Sequence, residues 1–446
     1  MNNRRTRTVA LLGPFGWGNL GDAAIQDAAI AQLRARRDDI RIVGISMVPA
    51  DTRRRHGIET LAYDTDAYQF RRSDESPPDV ARGDRGSAAG RLLARVRNAL
   101  AWRTARLRRA GHEIGHVLYA AHHLRRIDVL LVSGGGQLDE FWGGPWQHPY
   151  TLFKWTLLAR LMGTQVAILS VGAGEIQSRL SRWFLRRALR LARYRSYRDQ
   201  GSKDMVRDII GFPNGDPVVP DMAFALGAGP GAAATGIGGR PPTVAIGPMP
   251  YRKPGVWPEP DGAVYLAYLD MLADVCRHVV ARGAVVKLIV GDINQDQPVI
   301  DEFLGRLRAA GIPELAAVSA EIDGVDSLMD CLRQADLVVA SRFHGALLSL
   351  LLRKPVLAIS YERKVRRLMR DMGQESHAID LEGADAGMVS AMFDRLWDGR
   401  ASIASALDEP AKLATAAVCA QFDAVVSRFL PVPTRAHADA GEIGRA

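Results

Sequence analysis

Arg342-Phe343-His344-Gly345 lies between the apolar run Ala335 to Ser341 and the apolar helical pattern Ala346 to Leu352. A cation, a titratable imidazole and a glycine therefore stand where a buried strand hands over to a helix. In an open α/β sheet that handover lies at the carboxyl end of a strand, beside a helix N-terminus whose unpaired N–H groups favour anions. The chemistry allowed there is anion capture by Arg342 and by backbone around Gly345, with proton transfer through His344 near neutral pH. A buried Arg–His pair that only caps the helix would be written with the same residues.

Other strand exits carry comparable residues. The first strand ends in Gly13-Pro14-Phe15-Gly16-Trp17-Gly18-Asn19-Leu20-Gly21-Asp22 and continues as a helix from Ala23 to Leu33. Glycines such as Gly18 and Gly21 let backbone approach a ligand, and Asp22 can cap the helix. The spacing lacks the acidic ribose partner of a dinucleotide fingerprint and the Gly-Lys-Ser/Thr of a phosphate loop, so neither NAD nor ATP is indicated. Ser133-Gly134-Gly135-Gly136 follows a second strand, and Tyr197-Arg198-Asp199 a third. Arg198 is a bidentate anion ligand or the internal partner of Asp199. Ile359-Ser360-Tyr361-Glu362-Arg363-Lys364 is again strand to helix, and puts Lys364 where it can meet an anion.

Positioning these residues takes an α/β protein. Strand-like runs alternate with helical periods at Thr8 to Leu12, Arg41 to Met47, Asp128 to Val132, Gln165 to Val171, Arg195 to Arg198 and Pro217 to Val219. A second series follows at Thr243 to Gly247, Val285 to Val290, Leu315 to Val318, Leu337 to Ala340, Val356 to Ser360 and His377 to Leu381. Between them the composition falls to Gly, Ala, Pro and Thr, which cannot pack a core. The expected architecture is two doubly wound Rossmann-like domains facing a cleft: residues 1–225, a linker at 226–242, residues 243–430, and a loose tail at 431–446. The long helical pattern Glu409 to Phe429 is expected to cross back onto the first domain.

Within the first domain, residues 69–111 break the rhythm. Seven arginines between Arg91 and Arg109 alternate with Leu92, Leu93, Val96, Leu100 and Trp102. This stretch, 91–109, has the composition of a peripheral membrane contact and equally of a solvated helix.

At 446 residues the chain exceeds what one core usually serves, and 47% hydrophobic with 24% charged residues is ordinary for a folded globular protein. The formal charge of +9, from 58 Lys and Arg against 49 acids, suggests an anionic partner. No zinc-finger spacing or RNA-binding aromatic motif accompanies it, so nucleic acid is not expected. Cys276, Cys331 and Cys419 are far apart and odd in number, which indicates neither a disulfide framework nor a metal cluster. No run of 18 apolar residues occurs, and a cytoplasmic location is expected.

Taken in order, Gly16-Trp17-Gly18-Asn19-Leu20-Gly21-Asp22, Gly134-Gly135-Gly136, Tyr197-Arg198-Asp199 with Ser202, Arg342-Phe343-His344-Gly345, and Ile359-Ser360-Tyr361 with Lys364 resemble the polysaccharide pyruvyl transferase family. The resemblance spans roughly Thr8 to Gly373. It departs at Phe343, where the family commonly has leucine, at Ala23, where it has an acid, and at the insert 69–111.

The resemblance implies a GT-B-like pair of domains, acceptor on the first and donor on the second. It implies transfer of the pyruvyl group of phosphoenolpyruvate, a co-substrate with no separate cofactor or metal, onto a sugar of a surface polysaccharide or its lipid-linked precursor, as a ketal. Arg198, Arg342 and Lys364 are then expected on the donor anion, His344 as general acid, and Asp22 as the carboxylate accepting a hydroxyl proton. A nucleotide-sugar glycosyltransferase and a non-catalytic glycan- or lipid-binding protein share the architecture and stand as alternatives.

Overall fold

The computed structural model describes residues 6–64, 110–140, 143–212, 215–228, 241–313 and 316–431. The expected arginine helix at 91–109, most of the linker and nearly all of the tail lie outside them.

Apolar runs become buried strands of two wholly parallel sheets. The first holds β1 (Arg7–Leu12), β2 (Ile40–Ser46), β3 (Glu59–Ala62), β4 (Val129–Ser133), β5 (Gly136–Leu138), β6 (Gln165–Ala173) and β7 (Tyr194–Tyr197). Its order is β3-β2-β1-β4-β6-β5, with β7 also pairing β6. The second holds β8 (Thr243–Gly247), β9 (Val285–Leu288), β10 (Ala317–Ser319), β11 (Leu337–Ala340), β12 (Val356–Ser360) and β13 (Ala378–Asp380), in the order β10-β9-β8-β11-β12-β13.

Each order reverses beside its first strand, between β1 and β4 and between β8 and β11. Ligand crevices of open α/β sheets form outside the carboxyl ends of strands at such a reversal. Pro217 to Val219, expected as a strand, forms only an isolated bridge from Val218 to Tyr197. Pro217 and Pro220 have no N–H to give a ladder.

One continuous buried cluster joins the sheets. It includes Leu20, Ala24 and Ala28 of the Leu20–Arg36 helix, Met222 and Phe224, and Phe343, Ala346 and Leu347 of the Phe343–Leu351 helix. The last helix, Asp408–Phe429, returns to the first sheet. There Gln421 is buried, donating from Nε2 to Ser170 Oγ at 3.0 Å and accepting from Ser196 Oγ. Arg36 Nε reaches Asp423 at 2.7 Å.

Candidate active site

The loop after β1 crosses to the second sheet. The Gly18 carbonyl accepts from Ile293 N at 3.0 Å, and Leu20 N donates to the Gly291 carbonyl at 2.9 Å, so Asn19 and Asp292 form an antiparallel bridge. Gly18 permits this with φ of +90°, where a side chain would be strained. Asn19 caps the following helix, its side chain accepting from Gly21 N at 2.9 Å and Asp22 N at 3.3 Å. Gly18 and Asn19, expected as ligand-facing, thus build the junction between the two halves.

That junction brings the first turn of the Leu20–Arg36 helix against the first turn of the Phe343–Leu351 helix. A β-carbon at Gly21 would overlap the His344 ring, so only glycine allows the imidazole this position. Asp22, one residue on, is held within electrostatic reach of His344, Asp221, Lys364 and Arg198. Burial pushes its carboxyl up to about 6, and Asp221 adds to the effect, while His344, Lys364 and Arg198 oppose it.

Asp221 is the residue the sequence reading missed. It follows the Pro217 to Val219 segment and caps the short turn Met222–Leu226, Oδ1 accepting from Ala223 N at 3.0 Å. Its Oδ2 lies 3.7 Å from His344 Nε2 and 3.5 Å from Arg198 Nη1. Burial alone would raise this carboxyl, yet His344, Arg198 and the Ala223 N–H bring it below the ordinary carboxylate value. An acid at the exit of an apolar segment was the available signal.

Arg198 leaves β7 into the same space. Its guanidinium carbon sits 4.4 Å from the centre of the Phe343 ring, and its Nε lies 3.6 Å from Asp199. Phe343, the departure from the family pattern, supplies a cation–π face across the junction. Gly172 on β6 leaves the room, since a β-carbon there would stand 2.5 Å from Arg198 Nη2. Asp199 is both partner and cap, accepting from Ser202 N at 2.7 Å and from Arg367 Nη1 of the second half at 3.2 Å.

Lys364 begins the Arg363–Asp371 helix, its Nζ 2.7 Å from Glu362. Behind Asp22 the Gly134-Gly135-Gly136 turn uses positive φ at Gly134 and Gly135, and Gly172 N donates to the Gly135 carbonyl at 2.7 Å. A buried chain anchors this turn. Tyr63 Oη donates to His148 Nδ1 at 2.6 Å, and His148 Nε2 donates to the Gln137 carbonyl at 2.8 Å. Burial depresses His148 to about 4, which keeps the ring neutral, and the Gln137 carbonyl, which can only accept, puts its proton on Nε2. Gly345 has no crowded neighbour, the nearest atom to a β-carbon being Ala340 Cβ at 3.7 Å, and contributes only backbone.

Arg342 is not brought into this cluster. Its Nε lies 2.8 Å from Asp296 Oδ2, and the Asp296 side chain is only 1% exposed. A cation committed to a buried carboxylate is no free anion ligand. Arg342→Ala is therefore expected to cost about 3 kcal/mol of stability by leaving Asp296 unpaired, seen in urea unfolding, with donor affinity unchanged in the folded fraction. Lost affinity at full stability would return Arg342 to the donor.

Among the described residues, Arg198 Nε, Asp221 Oδ2 and His344 Nε2 are three of the buried polar atoms that have no hydrogen-bond partner. Most buried polar groups are paired, so three such atoms around one spot make it a candidate for ligand contact. Beside it opens a cleft of about 810 Å³ whose walls include Asp199, Gly201 and Asp204 from the first half and Tyr361, Arg363 and Arg367 from the second. Among the described residues no group of three or more His, Cys, Asp or Glu side chains is placed to hold a metal ion. The arrangement sets a buried carboxyl, Asp22, and an imidazole, His344, beside guanidinium and ammonium groups at two helix N-termini.

Solved structures similar to this chain include glycosyltransferases and epimerases. A glycosyltransferase from Rickettsia africae superposes with a TM-score of 0.55 at 8% identity over 96% of this chain and 99% of its own. A putative UDP-N-acetylglucosamine 2-epimerase from Listeria monocytogenes gives 0.55 at 11% over 95% and 96%. These likenesses establish a two-domain GT-B fold. Comparison with curated proteins gives no match. The model of the polysaccharide pyruvyl transferase family matches residues 19–363, from the cap of the first helix to the edge of Lys364. The chain belongs to the polysaccharide pyruvyl transferase family and is an enzyme of that type.

Proposed function

We propose that the enzyme transfers the pyruvyl group of phosphoenolpyruvate onto two hydroxyls of a sugar, in a surface polysaccharide or its lipid-linked precursor, as a cyclic ketal. The observation that carries the reading is the meeting of Asp22 and His344 from opposite domains, with Arg198 and Lys364 on the same spot. Phosphoenolpyruvate presents a carboxylate and a phosphate, which suit Arg198, Lys364 and the N–H groups of the Phe343–Leu351 helix start. His344 delivers a proton to the methylene carbon as a sugar hydroxyl attacks the adjacent carbon and passes its proton to Asp22. The C–O bond to phosphate then breaks and the second hydroxyl closes the ketal. Of the two hydroxyl protons, one is accounted for on the new methyl group and the other on the departing phosphate. Asp221 fixes the His344 ring, and the cleft beside the spot takes the acceptor. A donor made in the cytoplasm sets the reaction there, and a lipid-linked acceptor would bring it to the inner face of the membrane.

The test incubates purified enzyme with phosphoenolpyruvate and a panel of glycan acceptors, following phosphate release together with acceptor mass. Coupled phosphate release and pyruvyl mass gain are expected. Turnover confined to nucleotide sugars would overturn the donor assignment.

A further inference from the structure

The outer layer of the first sheet carries an arginine stripe. The helix Arg179–Leu191 contains no acidic residue, and its buried side is Ser181, Phe184, Leu185, Ala188 and Leu189. Helical spacing puts Arg179, Trp183, Arg186, Arg187 and Arg190 together on the opposite side. Among the described residues none of these four arginines has a carboxylate partner within ion-pair distance. Arg187 instead lies over the Trp183 ring, 5.4 Å from its centre.

Large apolar side chains share this surface. Trp183 is 45% exposed, Trp146 65% and Leu161 65%, although tryptophan is costly to leave in water. Trp146 packs edge-on against Phe184 of the Arg179–Leu191 helix and tilted against Tyr150 of the neighbouring His148–Leu161 helix, and Trp183 packs on Phe153 of that neighbour, so both indoles are held in place. Unpaired arginines around rigid, exposed indoles form the pattern that seats a helix at the headgroup level of an anionic bilayer. Among the described residues no helix is long and apolar enough to cross one.

We infer that this face, the Arg179–Leu191 helix with Trp146, docks on an anionic phospholipid surface. Its placement has a direction. Trp146 follows β5 and Arg179 follows β6, so both sit at the carboxyl edge of the first sheet, the edge that also bears the Gly134 turn and Arg198. The helix runs from that edge back toward the start of β7, so Arg186, Arg187 and Arg190 lie along the flank of the sheet.

The test is co-sedimentation of the purified full chain with vesicles of phosphatidylcholine alone or with about a third phosphatidylglycerol. Binding only to the anionic vesicles, weakened by salt, is expected. Arg186→Ala with Arg187→Ala and Arg190→Ala should lower the partition coefficient about fivefold per arginine, on the order of a hundredfold together. Trp146→Ser with Trp183→Ser should lower it independently, with unchanged circular dichroism in both variants. Wild-type partition by the triple-arginine variant, or no binding of the parent chain, overturns the inference. Loss with the arginine changes but none with the tryptophan changes overturns it too, since that describes adsorption of a polyanion.

Discussion

Asp22→Asn should turn over more slowly by a factor of about 10² to 10⁴ while resisting unfolding better than the parent at pH 7.5. The first effect follows if Asp22 accepts the hydroxyl proton. The second follows from burial, which raises its carboxyl from 3.8 to about 6, so the folded state binds the proton more tightly than the unfolded state does. Above pH 6 the carboxylate is charged in both states and the fold bears a cost of about 3 kcal/mol, which the neutral amide removes. As pH falls through 6 toward 3.8 the native carboxyl takes up its proton, and the stability gap between variant and parent closes. Urea unfolding at pH 7.5 and pH 4.5 reads this directly. A variant less stable than its parent at pH 7.5 would mean that the carboxylate is held by its cationic neighbours rather than strained by burial. The same carboxyl predicts that kcat/KM of the parent falls on the acid side of about pH 6.

His344→Gln is expected to remove a similar factor, about 10² to 10⁴ in kcat, with little change in folding. Glutamine can still reach Asp221 but carries no proton to give the methylene carbon. The informative readout is solvent deuterium in the product methyl group together with rate. If His344 is the acid, residual turnover is limited by the slow delivery of a proton from water. Parent-like turnover in His344→Gln would transfer the role to another group, with Lys364 next in reach of Asp22.

Much of this site could be read from the chain because its residues stand at strand exits. The change of period from alternating apolar to helical marks Leu12 to Asp22, Leu337 to Gly345 and Val356 to Lys364 without any knowledge of neighbours. What could not be read is which charge meets which. Arg342 and His344 are two residues apart, yet one turns to Asp296 and the other to Asp221, a choice made by the packing of different elements. Asp221 lay hidden because the turn that it caps, Met222–Leu226, is too short to show a helical pattern. The short strands β3 and β5 escaped for a related reason: Glu59–Ala62 begins with a charge, and Gly136–Leu138 reads as part of a glycine turn.

The returning helix Asp408–Phe429 has a mechanical consequence. The chain passes between the halves twice, once through the 226–242 segment and once at the approach to this helix, whose Gln421 is locked into the first sheet. A single crossing would leave a swivel with three rotational freedoms. Two crossings leave less freedom than one, and the Asn19–Asp292 bridge with the shared buried cluster ties the halves together again. Asp22 and His344 come from opposite halves, so the same ties that join the halves also hold the distance between these two side chains.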